Sequence, residues 1–408
     1  MLMAHKTLIG GTSYEITGGK TLVDGTSYSV KNGKVLVDGT EYDISFVLPP
    51  AALDLWSGSY LDNNCITYAD GYWVVGGRYH DGSTNYARIA YATSLNGDWT
   101  IKDLAAQSTM TSVRCIAYAN GYWVVGGYGG SSGTKAVIAY STSLGGTWTF
   151  KTLWSGSTDD SVNDIAYANG YWVAAGEEGT DTAQISYATS PDGTWTNKAI
   201  WNTWTDTNYA SRIETITYAN GYWVVGGVHR KDDNDDDTIV RIAYATSPDD
   251  YWYGGNTTIW TGRLSCINSI AYANGYWVVA GVYGTGTSLT SSVSARIAYS
   301  TSLSGPWSTT DLWSGRSDSL DCITYADGYW VVGGDHRGYS FRIAYAISPD
   351  GTWTTEQIGA DGDDLGGGGV YGIIRADGYW VAAGSLQVSS TQYARIAYSP
   401  TIEGFSEI

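Results

Sequence analysis

Tyr68-Ala69-Asp70-Gly71-Tyr72-Trp73-Val74 is one of seven near-copies of a single phrase, and its repetition decides the fold. The glycine of the phrase returns at 121, 170, 221, 275 and 328, and a worn copy, Arg375-Ala376-Asp377-Gly378-Tyr379-Trp380-Val381, completes the set. Successive glycines stand 50, 49, 51, 54, 53 and 50 residues apart, which suits one supersecondary unit per repeat. Four strands are legible in each unit. The first ends as Ile66-Thr67-Tyr68-Ala69, and a two-residue Asp-Gly or Asn-Gly turn follows, a hairpin signal because both turn positions require positive φ. The second, Tyr72-Trp73-Val74-Val75, runs into small residues such as Gly76-Gly77, and the third is of the type Arg88-Ile89-Ala90-Tyr91-Ala92-Thr93. A further turn leads to Trp99, Trp148, Trp195, Trp252, Trp307 or Trp353 and then to an outer strand that often ends in Leu-Trp.

A four-stranded sheet with two apolar faces cannot bury both by itself, so the units must stack. Seven of them around an axis cover both faces of every sheet and leave only short edges. The chain ends indicate closure: Leu53-Asp54-Leu55-Trp56-Ser57-Gly58 matches Asp311-Leu312-Trp313-Ser314-Gly315, an outer strand. The last copy stops where its own outer strand should begin, so the N-terminal segment is expected to supply it. The expected fold is all-β: residues 53–408 form a seven-bladed β-propeller of four-stranded blades, closed by an N-terminal strand. An open solenoid of the same units is the alternative, and it would leave a long unpaired edge. The repeated Trp residues are expected to pack between blades.

A shorter repeat precedes the ring. Lys6, Lys20 and Lys34 open three copies of the type Lys-Thr-Leu-Val-Asp-Gly-Thr-Ser-Tyr, with turns at Gly10-Gly11, Asp24-Gly25 and Asp38-Gly39. Residues 1–47 therefore read as a β-hairpin repeat arm and 48–52, with Pro49-Pro50, as a linker. So short a segment does not make an independent core, and the arm is expected to dock on another chain or on copies of itself.

Composition narrows the partners. The formal charge of −18 disfavours nucleic acid and anionic membrane surfaces, and no apolar run is long enough to insert in a bilayer. The N-terminus has no apolar core of signal-peptide length, so the chain is expected to be made in a cytoplasm. Cys65, Cys115 and Cys322 occupy one strand position in three blades, and Cys266 lies outside that register; four thiols so placed read as small buried side chains.

The arm resembles the Gly-Lys-Thr-Leu-Val-Asp-Gly-Thr-x-Tyr repeats of tail and other virion structural proteins of bacteriophages, in Gly19 to Tyr28 and, with one change, Gly33 to Tyr42. The propeller phrase is similar to repeats of phage tail-associated proteins. These resemblances imply a place on the virion surface, contact with other virion proteins through the arm, and a homotrimer. Ser190-Pro191-Asp192-Gly193-Thr194-Trp195 and Ser348-Pro349-Asp350-Gly351-Thr352-Trp353 are similar to the Asp-box turns of sialidases, which in that family are structural and remote from catalysis.

The search for chemistry finds no nucleophile elbow, phosphate loop or Cys/His cluster. A sialidase-like site would need gathered arginines, yet Arg88, Arg241, Arg296, Arg342 and Arg395 open the third strand in five blades, with Val137 and Gln184 in the other two. A residue repeated by the architecture is spread around the ring. Among 40 acidic residues no catalytic pair stands out, and the run Asp232 to Asp237 lacks the glycine turn and terminal Glu of a calcium loop. Catalytic residues, metal and cofactors are therefore expected to be none, and the chain is read as not an enzyme.

Loop lengths point to one face. From the last small residue of the second strand to the Arg position, seven to fourteen residues intervene, whereas the hairpin turns are uniform. The connections between blades vary as well, from Ser57–Asn64 to the stretch Gly362–Gly369, and they emerge on the same face. Binding favours irregular loops on a rigid scaffold, so Tyr79, His80, Tyr86, Tyr128, His229, Arg230, Tyr283, His336, Arg337 and Tyr339 are the expected contact residues. The expected function is a tail-fibre or appendage head that recognises a host-surface glycan or protein. The alternatives are a structural decoration or collar protein and a sialidase-like or depolymerase glycoside hydrolase.

Overall fold

The computed structural model describes residues 51–407 apart from segments 59–60, 107, 131–134, 157–158, 180–181, 203–210, 231–237, 255–256, 286–291, 337–339, 359–364 and 389–390, and before them the backbone of six strands. The chain divides into two units, Met1–Pro49 and Pro50–Ile408. In the first, His5–Ile9 pairs with Thr12–Thr17, Lys20–Val23 with Thr26–Lys31, and Lys34–Val37 with Thr40–Asp43, all antiparallel. Thr17↔Lys20 and Lys31↔Lys34 join these hairpins, so the six strands form one meander. The expected turns at Gly10-Gly11, Asp24-Gly25 and Asp38-Gly39 lie outside the described residues.

The second unit is the seven-bladed β-propeller. Its blades are seven antiparallel four-stranded sheets. Every hairpin turn joining first and second strands holds both residues at positive φ, from Asp70 at 50° and Gly71 at 75° to Asp377 at 47° and Gly378 at 82°. First strands pack side by side around the axis, and Leu365–Ala376 of the last blade meets Leu61–Ala69 of the first, which closes the ring. Ala51–Gly58 pairs with Thr391–Ser399 as the outer strand of the seventh blade. The chain's first contribution to the ring thus completes its last blade.

Apolar burial lies between blades. Trp73, Trp123, Trp172, Trp223, Trp277, Trp330 and Trp380 are all at most 2% exposed. One cluster joins Val74, Ala87 and Ile89 of the first blade to Val113, Trp123 and Val125 of the second, and the pattern recurs around the ring. The outer-strand tryptophans add a directed tie: Trp154 Nε1 donates to the Glu177 carbonyl at 2.6 Å and Trp313 to that of Asp335 at 2.9 Å. Trp56 of the closing strand donates to Arg78 in the first blade at 3.4 Å, so closure reuses the same bond. Lysines tie the opposite face, as Lys102 Nζ donates to the carbonyls of Gly145 at 2.8 Å and Gly146 at 2.6 Å in the next blade.

Three of the third-strand arginines hold aspartates of the outer strands. Arg88 holds Asp103 through two bonds of 2.6 and 2.9 Å, Arg296 holds Asp311 at 2.5 and 3.0 Å, and Arg395 holds Asp54 of the closing strand at 2.6 and 3.1 Å. The Asp-box-like turns are closed by their own tryptophans, with Trp195 Nε1 on the Pro191 carbonyl at 3.1 Å. All four cysteines are free thiols.

One irregularity recurs in every blade. The first strand carries a β-bulge, so that Asn64, Arg114, Asn163, Glu214, Asn268, Asp321 and Tyr371 have no partner in the cross-strand register. The bulge drives a first-strand carbonyl against the second strand, which answers with glycine. A methyl group at Gly127, Gly176, Gly227, Gly281, Gly334 or Gly384 would collide with the carbonyl oxygen of Ser112, Ser161, Arg212, Cys266, Ser319 or Gly369. This explains the small residues at the end of each second strand.

The glycines of the hairpin turns have open space where a side chain would go. Gly121→Ala should therefore cost only about 1–2 kcal/mol of left-handed strain. Gly227→Ala, which must push the bulge apart, should cost about 3 kcal/mol or more. Denaturant melts of the two variants check this, and equal losses would contradict the bulge argument.

Candidate functional site

In six of the blades the bulge turns a side chain into one cavity. Arg114, Asn163, Glu214, Asn268, Asp321 and Tyr371, from six different blades, line one cavity of about 280 Å³ together with Ser112 and Tyr128. Asn64 holds the equivalent backbone position in the first blade. The cavity opens where first strands begin and second strands end, on the face of the irregular loops.

These groups form a connected polar network. Arg114 Nη1 donates to Asn163 Oδ1 at 2.5 Å, and the Asn163 amide donates to the Ile213 carbonyl of the next blade at 2.8 Å. Ser161 Oγ lies 2.7 Å from Asn163 Oδ1 and 3.1 Å from Glu177 Oε1. Arg212 is ion-paired with Glu214. Across the channel Asn268 Nδ2 donates to Asp321 Oδ1 at 3.1 Å, and Ser319 Oγ to Asp321 Oδ2 at 3.0 Å. Tyr371 OH accepts from Ser385 Oγ at 3.4 Å.

The electrostatics separate the carboxyls. Burial pushes Glu177 up to about 7; the nearby Glu214 adds to the rise, while Arg212, Arg114 and the Ser161 bond oppose it. Burial likewise raises Asp321 to about 7, against the Ser319 and Asn268 hydrogen bonds. Glu214 holds Arg212 firmly protonated. Two carboxyls that titrate near neutrality beside an ion-paired third are groups able to give and take protons. Asp164, raised by burial to about 6, is different. Its oxygens accept the amides of Ile165 and Ile216, each at 2.8 Å, so it braces two blades.

Of the residues expected from the loops, Tyr128 lines the cavity. Tyr79 lies beneath Arg88, whose guanidinium carbon is 3.6 Å from its ring centroid, and beside Tyr86 at 6.2 Å. Tyr86 OH donates to Asp81 at 3.2 Å, and His80 Nδ1 accepts the Gly82 amide at 3.1 Å. Tyr283 is covered by Arg296 at 3.5 Å. His229 Nδ1 is 3.1 Å from Ser211 Oγ, and His229 lines a separate groove shared by the third and fourth blades. His336 Nδ1 is 3.1 Å from the buried Asp318. Arg230 ends the strand Tyr222–Arg230, and Arg337, Tyr339 and the acidic run 232–237 lie outside the described residues. Among the described residues of this set, Tyr128 alone lines this cavity.

What the sequence reading missed is the bulge position. It stands two residues before the Ile of each first strand and holds Asn, Arg, Asn, Glu, Asn, Asp and Tyr in turn. A position this variable inside so uniform a repeat is a signal in its own right.

No protein-family model and no curated protein sequence matches the chain. Among solved structures, YCF48 bound to a D1 peptide superposes with TM-score 0.52 at 10% identity, over 87% of this chain and 96% of that one. The polysaccharide lyase Uly1 superposes with TM-score 0.53 at 10% identity, over 83% and 89%. Phage phi92 endosialidase superposes with TM-score 0.48 at 8% identity, over 89% and 71%. At such identities the likeness is one of fold. It nevertheless corrects one expectation, that the chain is not an enzyme. The lyase is a ring of this fold that carries a reaction, and the channel gathers the ionisable residues that the sequence left scattered.

The raised carboxyls have a consequence for stability. Asp321 keeps its proton to about pH 7 in the ring but only to about pH 4 in the unfolded chain, so folding takes up a proton between those values. Stability from this group is full below about pH 4 and is lost as pH rises through about 7. Asp321→Asn should therefore gain Tm relative to the unsubstituted protein as pH is raised across that window. A difference that stays constant from pH 4 to pH 8 would contradict it.

Proposed function

We propose that the ring binds and cleaves a host-surface glycan at its channel mouth, and that the arm fixes it to a virus particle. The observation that carries the proposal is the bulge ring, which gathers Arg114, Glu214, Asp321 and Tyr371 from separate blades around one cavity. Asp321, held near neutrality, is suited to protonate a leaving glycosidic oxygen. Glu214, paired with Arg212, supplies the second carboxylate that glycoside hydrolysis requires. Arg114, Asn163, Asn268 and Tyr371 offer donors and acceptors to sugar hydroxyls. The formal charge of −18 favours a neutral glycan over a polyanion. The attachment to a virion rests on the arm's repeats, Gly19 to Tyr28 and Gly33 to Tyr42.

The test is release of reducing ends from host wall polysaccharide by the full chain, with binding measured in parallel. Glu214→Gln and Asp321→Asn should each lower kcat on the order of 10²–10⁴-fold while binding persists. Undiminished release by both variants would overturn the assignment of the carboxyls. Binding without release by the unsubstituted protein would reduce the site to recognition, and absence of both would remove the glycan.

A further inference from the structure

A second cavity adjoins the first. It has a volume of about 400 Å³, and Arg78, Asn85, Thr111, Asp160, Ser161 and Glu177 are among its walls. Arg114 and Tyr128 line both cavities and form the partition between them. The partition is held from both sides. The Arg114 guanidinium carbon lies 5.0 Å from the Tyr128 ring centroid, and Arg78 Nη1 donates to Tyr128 OH at 3.4 Å. The wall continues through Ser161, which touches Asn163 of the first cavity and Glu177 of the second. The second cavity therefore lies over the first three blades and is continuous in chemistry with the channel.

Three of its walls occupy a second repeat position, the one after the second-strand glycine. Arg78, Tyr128 and Glu177 stand there in the first three blades, Val228 and Val282 in the fourth and fifth, and Asp335 and Ser385 in the sixth and seventh. Of the polar side chains at this position, those of the first three blades meet around the one cavity. A ligand made of a single sugar has no use for a second polar cavity beside the first. A linear chain that leaves the channel in one direction does.

Resting on the glycan reading above, we infer that this second cavity is a subsite for the neighbouring sugar units of the same chain. The ring then grips its glycan internally rather than by a terminal residue. Tyr128 provides a ring face between the two units, and Arg78 and Asn85 hydrogen-bond the hydroxyls of the outer one.

The experiment uses the full chain and a ladder of neutral oligosaccharides cut from host wall polysaccharide, two to eight units long, with affinity read by calorimetry. Affinity should rise about tenfold or more once the ligand is long enough to fill both cavities. Arg78→Ala and Asn85→Ala should each remove most of that gain, and melting curves check that both variants remain folded. A gain with length that survives both substitutions, or affinity that does not change with length, overturns the subsite alone. No binding at any length overturns the glycan reading and the subsite with it.

Discussion

The contact between one first-strand carbonyl and one second-strand glycine, repeated from blade to blade, is the constraint on which the site depends. An antiparallel pair in regular register would point first-strand residues alternately to the two blade faces, both of which are buried against neighbours. The bulge breaks that alternation once per blade and, in six blades, turns a side chain into the shared cavity. It can form only because the opposing residue has no Cβ, as at Gly127, Gly227 and Gly334. The glycine pattern that looks like a hallmark of tight packing is therefore also the device that furnishes the channel.

Around that channel the ring is rigid for reasons that have nothing to do with the ligand. Seven buried tryptophans fill the seams, outer-strand tryptophans bond forward to the next blade, and arginine–aspartate pairs hold three of the outer strands to their sheets. These ties fall at repeated positions, whereas the bulge positions carry five residue types in seven blades. Rigid repetition outside and free variation inside are two sides of one arrangement.

The fold was legible because its signals are local. Asp-Gly and Asn-Gly turns demand positive φ, the period is regular, and Leu53 to Gly58 announces itself as a displaced outer strand. The site was not. A search for chemistry looks for residues near one another in sequence or for irregular loops, and Glu177, Glu214 and Asp321 satisfy neither condition. They stand in strands of three different blades, and only the closure of the ring brings them together. Tyr128 was reached by the loop argument because it sits at the end of a second strand, on the rim of the mouth. Tyr79 and Tyr283, chosen by the same argument, lie farther out, beneath the structural arginines.

The most direct test of the central claim is amide hydrogen exchange of the full chain with and without host wall polysaccharide. If the channel mouth is the site, protection should increase in the first strands that carry the bulges, around Arg114, Glu214, Asp321 and Tyr371, and at the end of the strand Tyr122–Gly129. Protection confined to the outer loops around His80 or His229, with the bulged strands unchanged, would contradict it.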